Sequence, residues 1–131
     1  MNNNEARARV FINTQLADLG WNIYDSNSVR YEVVLPDGTF ADYVLCDRHG
    51  RSLAVIEAKR FATDPGSAAA QARHYAEQLG VPYIFLANGD ETRVWEWQRD
   101  AYPRPVKTFF KQDDLERRAA TLVLRSDPAS I

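Results

Sequence analysis

Three ionisable side chains, Asp42, Glu57 and Lys59, interrupt two otherwise apolar runs in the stretch ADYVLCDRHGRSLAVIEAKR at 41–60. If those runs form a hairpin reversing over Arg48, His49, Gly50 and Arg51, with glycine supplying the freedom of a tight turn, Cys46 lies opposite Leu53, Val44 opposite Val55 and Asp42 opposite Glu57. Residues two apart share a strand face, so Lys59 joins the two carboxylates. Like charges directly opposite one another destabilise a sheet unless something positive sits between them. A divalent cation supplies that charge. Mg²⁺ accepts one or two hard carboxylate ligands and keeps water and substrate phosphates as the others. It also lowers the pKa of a bound water from ~15.7 towards neutrality and offsets charge building on a phosphate, while an ammonium at Lys59 can orient that water or the phosphate. The chemistry this pattern offers is metal-assisted hydrolysis of a phosphate ester. Taken singly, each residue has an ordinary explanation, Glu57 and Lys59 as an ion pair at a strand end and Asp42 as a turn cap. Taken together, they break the apolar pattern three times at one place, as functional sites do.

Periodicity predicts the elements that must carry these groups. Over 5–20, Glu5, Arg9, Ile12, Leu16 and Leu19 share one helical face, and Gly20 suits the stop. That stripe opens on two charges. Either the first turn overhangs the core and leaves Glu5 and Arg9 solvated, or Glu5 points into a polar site. The run 30–35 is rich in β-branched and aromatic residues, Pro36, Asp37 and Gly38 mark a turn, and 40–46 and 53–58 form the hairpin arms, giving three antiparallel strands. After an irregular connection over 61–65, an Ala-rich helix is expected over 66–79 with its stop at Gly80. Its least charged face carries Ala68, Gln71, Ala72, Tyr75 and Leu79, with Arg73 and Glu77 opposite. An amide and a phenol on a packing face need hydrogen-bonding partners. The apolar run 81–87 reads as a strand covered on both faces and reached by a parallel crossover. Further on, 93–97 predicts an edge strand with Trp95 and Trp97 on one aromatic face, 106–110 a short extended segment, 113–120 a short capped helix and 121–131 a linker-like tail. The order αβββαββ implies an α/β fold, a mixed β-sheet flanked by helices.

Composition bounds the class. With 131 residues, 45% hydrophobic and 26% charged, the chain fits one domain with a real core. Its apolar runs fall far short of the roughly 20 residues of a membrane span, and MNNNEARARV lacks the apolar centre of a secretory signal. The expected compartment is the cytoplasm, with no membrane partner. A single cysteine, Cys46, excludes an internal disulfide and a zinc ribbon and reads as a small core residue, and His49 and His74 are too far apart for a histidine-rich zinc site. A net charge of −2 gives no global attraction to nucleic acid. Such binding needs a local basic patch or charge neutralised by metal, and Arg48, Arg51, Arg60 and Arg73 are the candidates for following a backbone.

Asp42 followed by Glu57-Ala58-Lys59 has the D…ExK form of the PD-(D/E)xK nuclease superfamily, whose common core has the element order predicted above. The flanks narrow the match: Glu5-Ala6 opening the first helix and Gly20-Trp21 closing it, Ala41-Asp42-Tyr43-Val44-Leu45, Ile56-Glu57-Ala58-Lys59, Gln71 with Tyr75, and Val81-Pro82 before Ile84-Phe85-Leu86-Ala87-Asn88-Gly89. Over nearly its whole length the chain resembles the N-terminal nuclease domain of type I restriction enzyme R subunits. The resemblance implies a restriction-endonuclease-like core, with 1–120 as the nuclease domain, and Mg²⁺-dependent endonucleolytic hydrolysis of DNA phosphodiester bonds, with Mn²⁺ able to substitute. It implies Asp42 and Glu57 as metal ligands together with the backbone carbonyl of Ala58, and Lys59 as the catalytic lysine. Glu5 matches the acidic residue of the family's first helix, near the metal. Gln71 and Tyr75 match its QxxxY motif, expected to place the DNA backbone or the catalytic groups, with Arg60 and Arg73 as candidate backbone contacts.

Two departures qualify the match. Ala41 stands where the superfamily has proline. Pro36-Asp37 supplies that dipeptide, but on a turn and on the wrong strand face for Glu57, so Asp42 is kept as the ligand. The family also continues into ATP-driven motor domains, and no GxxxxGKS/T occurs in this chain. It reads either as an N-terminal fragment, with 121–131 leading towards motor domains that bind ATP, or as a small stand-alone protein of the same lineage. In the first case the partners are double-stranded DNA and the methylation and specificity subunits of a restriction-modification complex. Two other functions stay open: a non-catalytic module with a nuclease fold that docks DNA or subunits, and a small recombination or repair nuclease.

Overall fold

A computed structural model of the chain describes residues 3–60 and 63–126, with side chains described over 5–60 and 63–122. Helix α1 (Asn3–Asp18) leads into three strands, β1 (Val29–Val34), β2 (Phe40–Cys46) and β3 (Ser52–Ala58). A 3-10 turn (Pro65–Ala68) runs into α2 (Ala69–Leu79), followed by β4 (Tyr83–Ala87), β5 (Thr92–Trp95), β6 (Arg104–Val106) and α3 (Gln112–Ser126). The strands form one sheet in chain order, parallel at β3–β4 and antiparallel elsewhere. The crossover through α2 is what allows two consecutive strands to run parallel.

Apolar periodicity assigns the helices to faces. Ala8, Ile12 and Leu16 are buried one turn apart on α1. Ile12 and Leu16 join Leu115 of α3 against Tyr43, Ile56 and Phe85 on one side of the sheet. On the other side Ala72, Tyr75 and Ala76 of α2 pack on Val44, Val55, Ile84 and Leu86. Central β4 is buried at every residue, as its unbroken apolar run requires. The fold is thus the mixed α/β sheet flanked by helices expected from the sequence.

The stop of α1 fixes more than a helix end. Gly20 adopts φ 92°, a left-handed conformation that glycine enters without a Cβ penalty, and the Trp21 N–H returns to the Leu16 carbonyl at 3.0 Å. Buried Trp21 then donates its indole N–H to the Phe110 carbonyl at 2.9 Å, tying α1 to the segment before α3. Trp21→Phe keeps most of the apolar burial but strands that carbonyl, and is expected to cost about 1–2 kcal/mol of unfolding free energy in urea melts.

Several sequence expectations need correction. The segment 93–97 is not an edge: β6 pairs with β5 through Thr92↔Val106 and Val94↔Arg104, so the short extended segment begins at Arg104 and covers it. Pro105 is tolerated there because an edge strand has one side without ladder bonds. The tryptophans face inward, towards the α2 layer. Trp95 is buried in the α2 layer and donates to the Asp100 carbonyl at 2.8 Å, while Trp97 packs beside it and donates to the Val81 carbonyl at 2.8 Å. The last helix runs to Ser126 rather than stopping at Ala120, because the apolar face continues and Leu122 still packs on the core. Cys46 pairs with Ser52 rather than Leu53, since the register shifts between Leu45 and Cys46 as the hairpin turns. Its thiol is buried, which pushes its pKa up. Parts of the expected connection at 61–65 and tail at 121–131 lie outside the described residues. Among the described residues no helix is long and apolar enough to cross a membrane.

Candidate active site

The hairpin register determines what meets at its open end. Tyr43 pairs with Ile56 and Val44 with Val55, which brings Asp42 level with Glu57. The two residues are then bound reciprocally. The Asp42 N–H donates to Glu57 Oε1 at 3.1 Å, and the Ala58 N–H donates to Asp42 Oδ2 at 2.8 Å. Each carboxylate is therefore held by an amide of the opposite strand, which orients it without neutralising it. Glu57 is only 5% exposed, and its carboxyl is pushed up to about 8, first by burial and then by the charge of Asp42. Lys59 lies just beyond β3, with its N–H anchored to the Ala87 carbonyl at 2.8 Å.

A reversal in the pleat adds a partner that the sequence reading missed. Regular alternation would put Ala41 and Tyr43 on one face. Instead Tyr43 is in the α1 layer and Ala41 in the α2 layer. The neighbouring strand does the same: the β1–β2 ladder pairs Tyr31↔Tyr43 and Val33↔Ala41 but skips Glu32, which has φ 49°. At this reversal Asp42 and Glu32 both reach α1. Arg9 Nη2 lies 2.6 Å from Asp42 Oδ1 and Arg9 Nη1 3.4 Å from Glu32 Oε1. The Tyr43 hydroxyl fixes this turn of α1 by donating to Asn13 Oδ1 at 2.7 Å, and the Arg9 guanidinium lies 6.0 Å from the Tyr43 ring centroid. Arg9 is therefore not a solvated overhang. The available signal was its place on the stripe that continues through Ile12 and Leu16.

From the other face, buried Tyr75 receives a hydrogen bond from Gln71 Nε2 at 2.5 Å. The amide and phenol expected to need partners thus partner each other. Burial raises the Tyr75 pKa, against the Gln71 hydrogen bond. One cleft of about 400 Å³ is bordered by Glu5 and Arg9 from α1, Asp42, Glu57, Ala58 and Lys59 from the hairpin, and Gln71 and Tyr75 from α2, with Gly38, Thr39 and Phe40 completing its lining.

Four arginines and one aspartate fall elsewhere. Arg73 pairs with Glu77 at 3.2 Å and lies over Trp97, and exposed Arg60 donates to Thr63 Oγ1 at 3.3 Å. Arg48 and Arg51 pair with Glu116 and Asp47 at the closed end of the hairpin. Asp37 accepts from the Thr39 hydroxyl at 2.6 Å and pairs with His74 at 2.7 Å. Those contacts, the Thr39 hydroxyl foremost, lower its pKa to about 2. Of the two aspartates considered from the sequence, Asp42 lines the cleft and Asp37 does not.

The donor set suits a hard cation of low protein coordination. Among the described residues no group of three or more His, Cys, Asp or Glu side chains gathers closely enough to hold a metal. Two carboxylates and a backbone carbonyl are too few for a closed zinc or calcium cage, but they are compatible with Mg²⁺, which keeps most of its water. Ionising Glu57 beside Asp42 would bring two like charges together in a buried place, which a cation there would offset.

Known proteins share this architecture. A family model described as the N terminus of type I restriction enzyme R protein matches residues 9–108. The endonuclease subunit of the type I restriction enzyme EcoAI from Escherichia coli is 35% identical over 57% of this chain and 11% of its own length. A solved fragment described as an HsdR subunit of a type I restriction enzyme from Vibrio vulnificus YJ016 superposes with a TM-score of 0.78 at 25% identity, over 90% of this chain and 25% of that one. The chain thus spans a small part of either relative. With the family model covering most of the chain and the fold shared with a solved relative, the chain belongs to the family of type I restriction enzyme R protein N-terminal domains.

Proposed function

We propose that this domain is the DNA-cleaving module of a type I restriction R subunit, hydrolysing phosphodiester bonds of double-stranded DNA with Mg²⁺, or Mn²⁺ in its place. The observation that supports this reading most is the meeting of Asp42, Glu57, Lys59, Gln71 and Tyr75, from three separate elements, on one cleft. Asp42, Glu57 and the Ala58 carbonyl would hold the ion, with Glu5 on the same cleft wall. When bound, that ion supplies Lewis acidity towards a phosphate oxygen and lowers the pKa of a water. Lys59 donates hydrogen bonds from its ammonium to the water or to a non-bridging phosphate oxygen, where negative charge grows. Gln71 donates to the Tyr75 oxygen and the Thr39 side chain also engages that phenol, so together they hold the Tyr75 hydroxyl at the cleft wall, where it would help place the DNA backbone. Sequence recognition and ATP-driven movement belong, on this reading, to the rest of a longer protein and to its methylation and specificity subunits.

Nicking of supercoiled plasmid in Mg²⁺ tests the proposal, run beside Mn²⁺ titration of the same protein. Lys59→Met is expected to retain Mn²⁺ binding and lose about a hundredfold or more in nicking rate, the scale seen when one preorganised donor is removed. Equal nicking by wild type and Lys59→Met would remove the lysine from the mechanism. Nicking absent from wild type, with no Mn²⁺ bound, would favour the docking module.

A further inference from the structure

Glu32 is the described non-glycine residue with a positive φ, 49°, and it holds that conformation on an edge strand, at the pleat reversal that turns Val33 towards the α2 layer while the Glu32 side chain stays exposed. Backbone strain at a bulky residue persists where something around it exploits the geometry. What the conformation achieves is an approach to α1, where the Glu32 carboxylate meets Arg9.

Arg9 is in turn held against Asp42. The Asp42 side chain is 13% exposed, its Oδ2 is engaged by the Ala58 N–H, and its Oδ1 lies 2.6 Å from the guanidinium. A divalent cation at that oxygen and a guanidinium at that distance repel each other strongly in a half-buried cleft. The Arg9–Glu32 contact is 3.4 Å, longer than the ~2.7–2.9 Å of a strong charge-assisted bond, so the guanidinium can move towards Glu32. The geometry points to Arg9 as a counter-ion that Asp42 exchanges for the metal, with Glu32 receiving the guanidinium when the ion binds. Arg9 is then a positioning residue. It holds Asp42 oriented beside Glu57 before the metal arrives, and Glu32 sets how readily it lets go. The inference rests on the reading of Asp42 as a metal ligand.

Mn²⁺ binding to the full chain, read from the free-ion EPR signal, tests the exchange without any catalytic assay. Arg9→Met is expected to bind Mn²⁺ on the order of tenfold more tightly, because the competing cation is gone. Glu32→Gln is expected to bind about threefold more weakly, because Arg9 then has Asp42 as its sole carboxylate of the two. In the double variant the Glu32→Gln effect should vanish, since it acts only through Arg9. A purely structural role would weaken binding in both single variants, and equal or weaker binding by Arg9→Met overturns the exchange. Should Arg9→Met fail to fold, Glu32→Gln on its exposed edge carries the test, and unaltered Mn²⁺ affinity there overturns it. Asp42→Asn separates this idea from the wider one. If Asp42→Asn binds Mn²⁺ as wild type does, Asp42 is no ligand and both readings fall, whereas loss in Asp42→Asn with no change in Arg9→Met removes the exchange alone.

Discussion

Asp42→Asn is expected to reduce Mg²⁺-dependent plasmid nicking by about a thousandfold or more, against no more than about a twofold change for Asp37→Asn. The contrast follows from where the two carboxylates lie. Asp42 borders the cleft level with Glu57, takes the Ala58 N–H on one oxygen and holds the other against Arg9. An asparagine there keeps the shape and one acceptor but removes the charge a cation needs, and it leaves Arg9 facing a neutral amide. Asp37 instead closes its own turn onto Thr39 and pairs with His74 outside the cleft. Melts of both variants distinguish lost chemistry from lost fold, because Asp42→Asn also weakens a partly buried ion pair. Comparable losses in the two variants would mean that the ligand had been assigned to the wrong aspartate. Loss in neither would mean that the cleft is not where hydrolysis occurs.

Glu57→Gln is expected to make the metal-free domain more stable while abolishing metal-dependent protection and nicking. The native carboxyl titrates near 8, above its ordinary value of 4.5, because burial and the Asp42 charge both disfavour ionisation. Between those two values the folded state keeps a proton that the unfolded chain releases, so this group's contribution to stability declines as pH rises from about 4.5 to about 8. A neutral amide of the same shape removes that decline and can still accept the Asp42 N–H. At pH 8 without metal, Glu57→Gln should exceed wild type by roughly 3 kcal/mol, with the gap closing as pH falls to 5. Mg²⁺ should raise the melting temperature of wild type at pH 8 and leave the variant unmoved. Thermal melts across pH, with and without Mg²⁺, check both signs. A variant less stable than wild type at pH 8 would show that Glu57 is held charged by a partner stronger than those around it.

The stability gained by neutralising Glu57 and the activity expected to be lost with it describe one compromise. A buried carboxylate beside another carboxylate destabilises the fold, and the domain retains it at the place where a cation would relieve it. Arg9 already relieves part of the excess on the Asp42 side. This is why the site can be assembled before any ion binds.

Much of this arrangement was legible in the residue pattern, and the part that was not has a common cause. Alternation of apolar residues along 41–60 was enough to set Asp42 level with Glu57, because strand period and turn length together determine register. The helical spacing of Gln71 and Tyr75 was enough to put them on one face, and their mutual hydrogen bond follows from that. The stop at Gly20 and the doubly buried β4 were equally local signals. By contrast, the edge position given to 93–97 failed because which strand lies outermost depends on whether a later segment adds to it, and the three residues of β6 carry almost no periodicity. The burial of Trp95 and the packing of Trp97 follow from the α2 layer that covers their face of the sheet.

Sequence alone determined the elements up to β4, the hairpin register at its open end and most of the side chains able to meet there, because each depends on the spacing of neighbours along the chain. Tertiary structure alone decided that the pleat reverses at Glu32 and Asp42, that Arg9 crosses from α1 to hold the aspartate, and that four basic residues of the initial list lie away from the cleft. The place of Arg9 depends on contacts with residues more than twenty positions away, where a side chain's partner is chosen by the packing of whole layers and not by its own surroundings in the sequence.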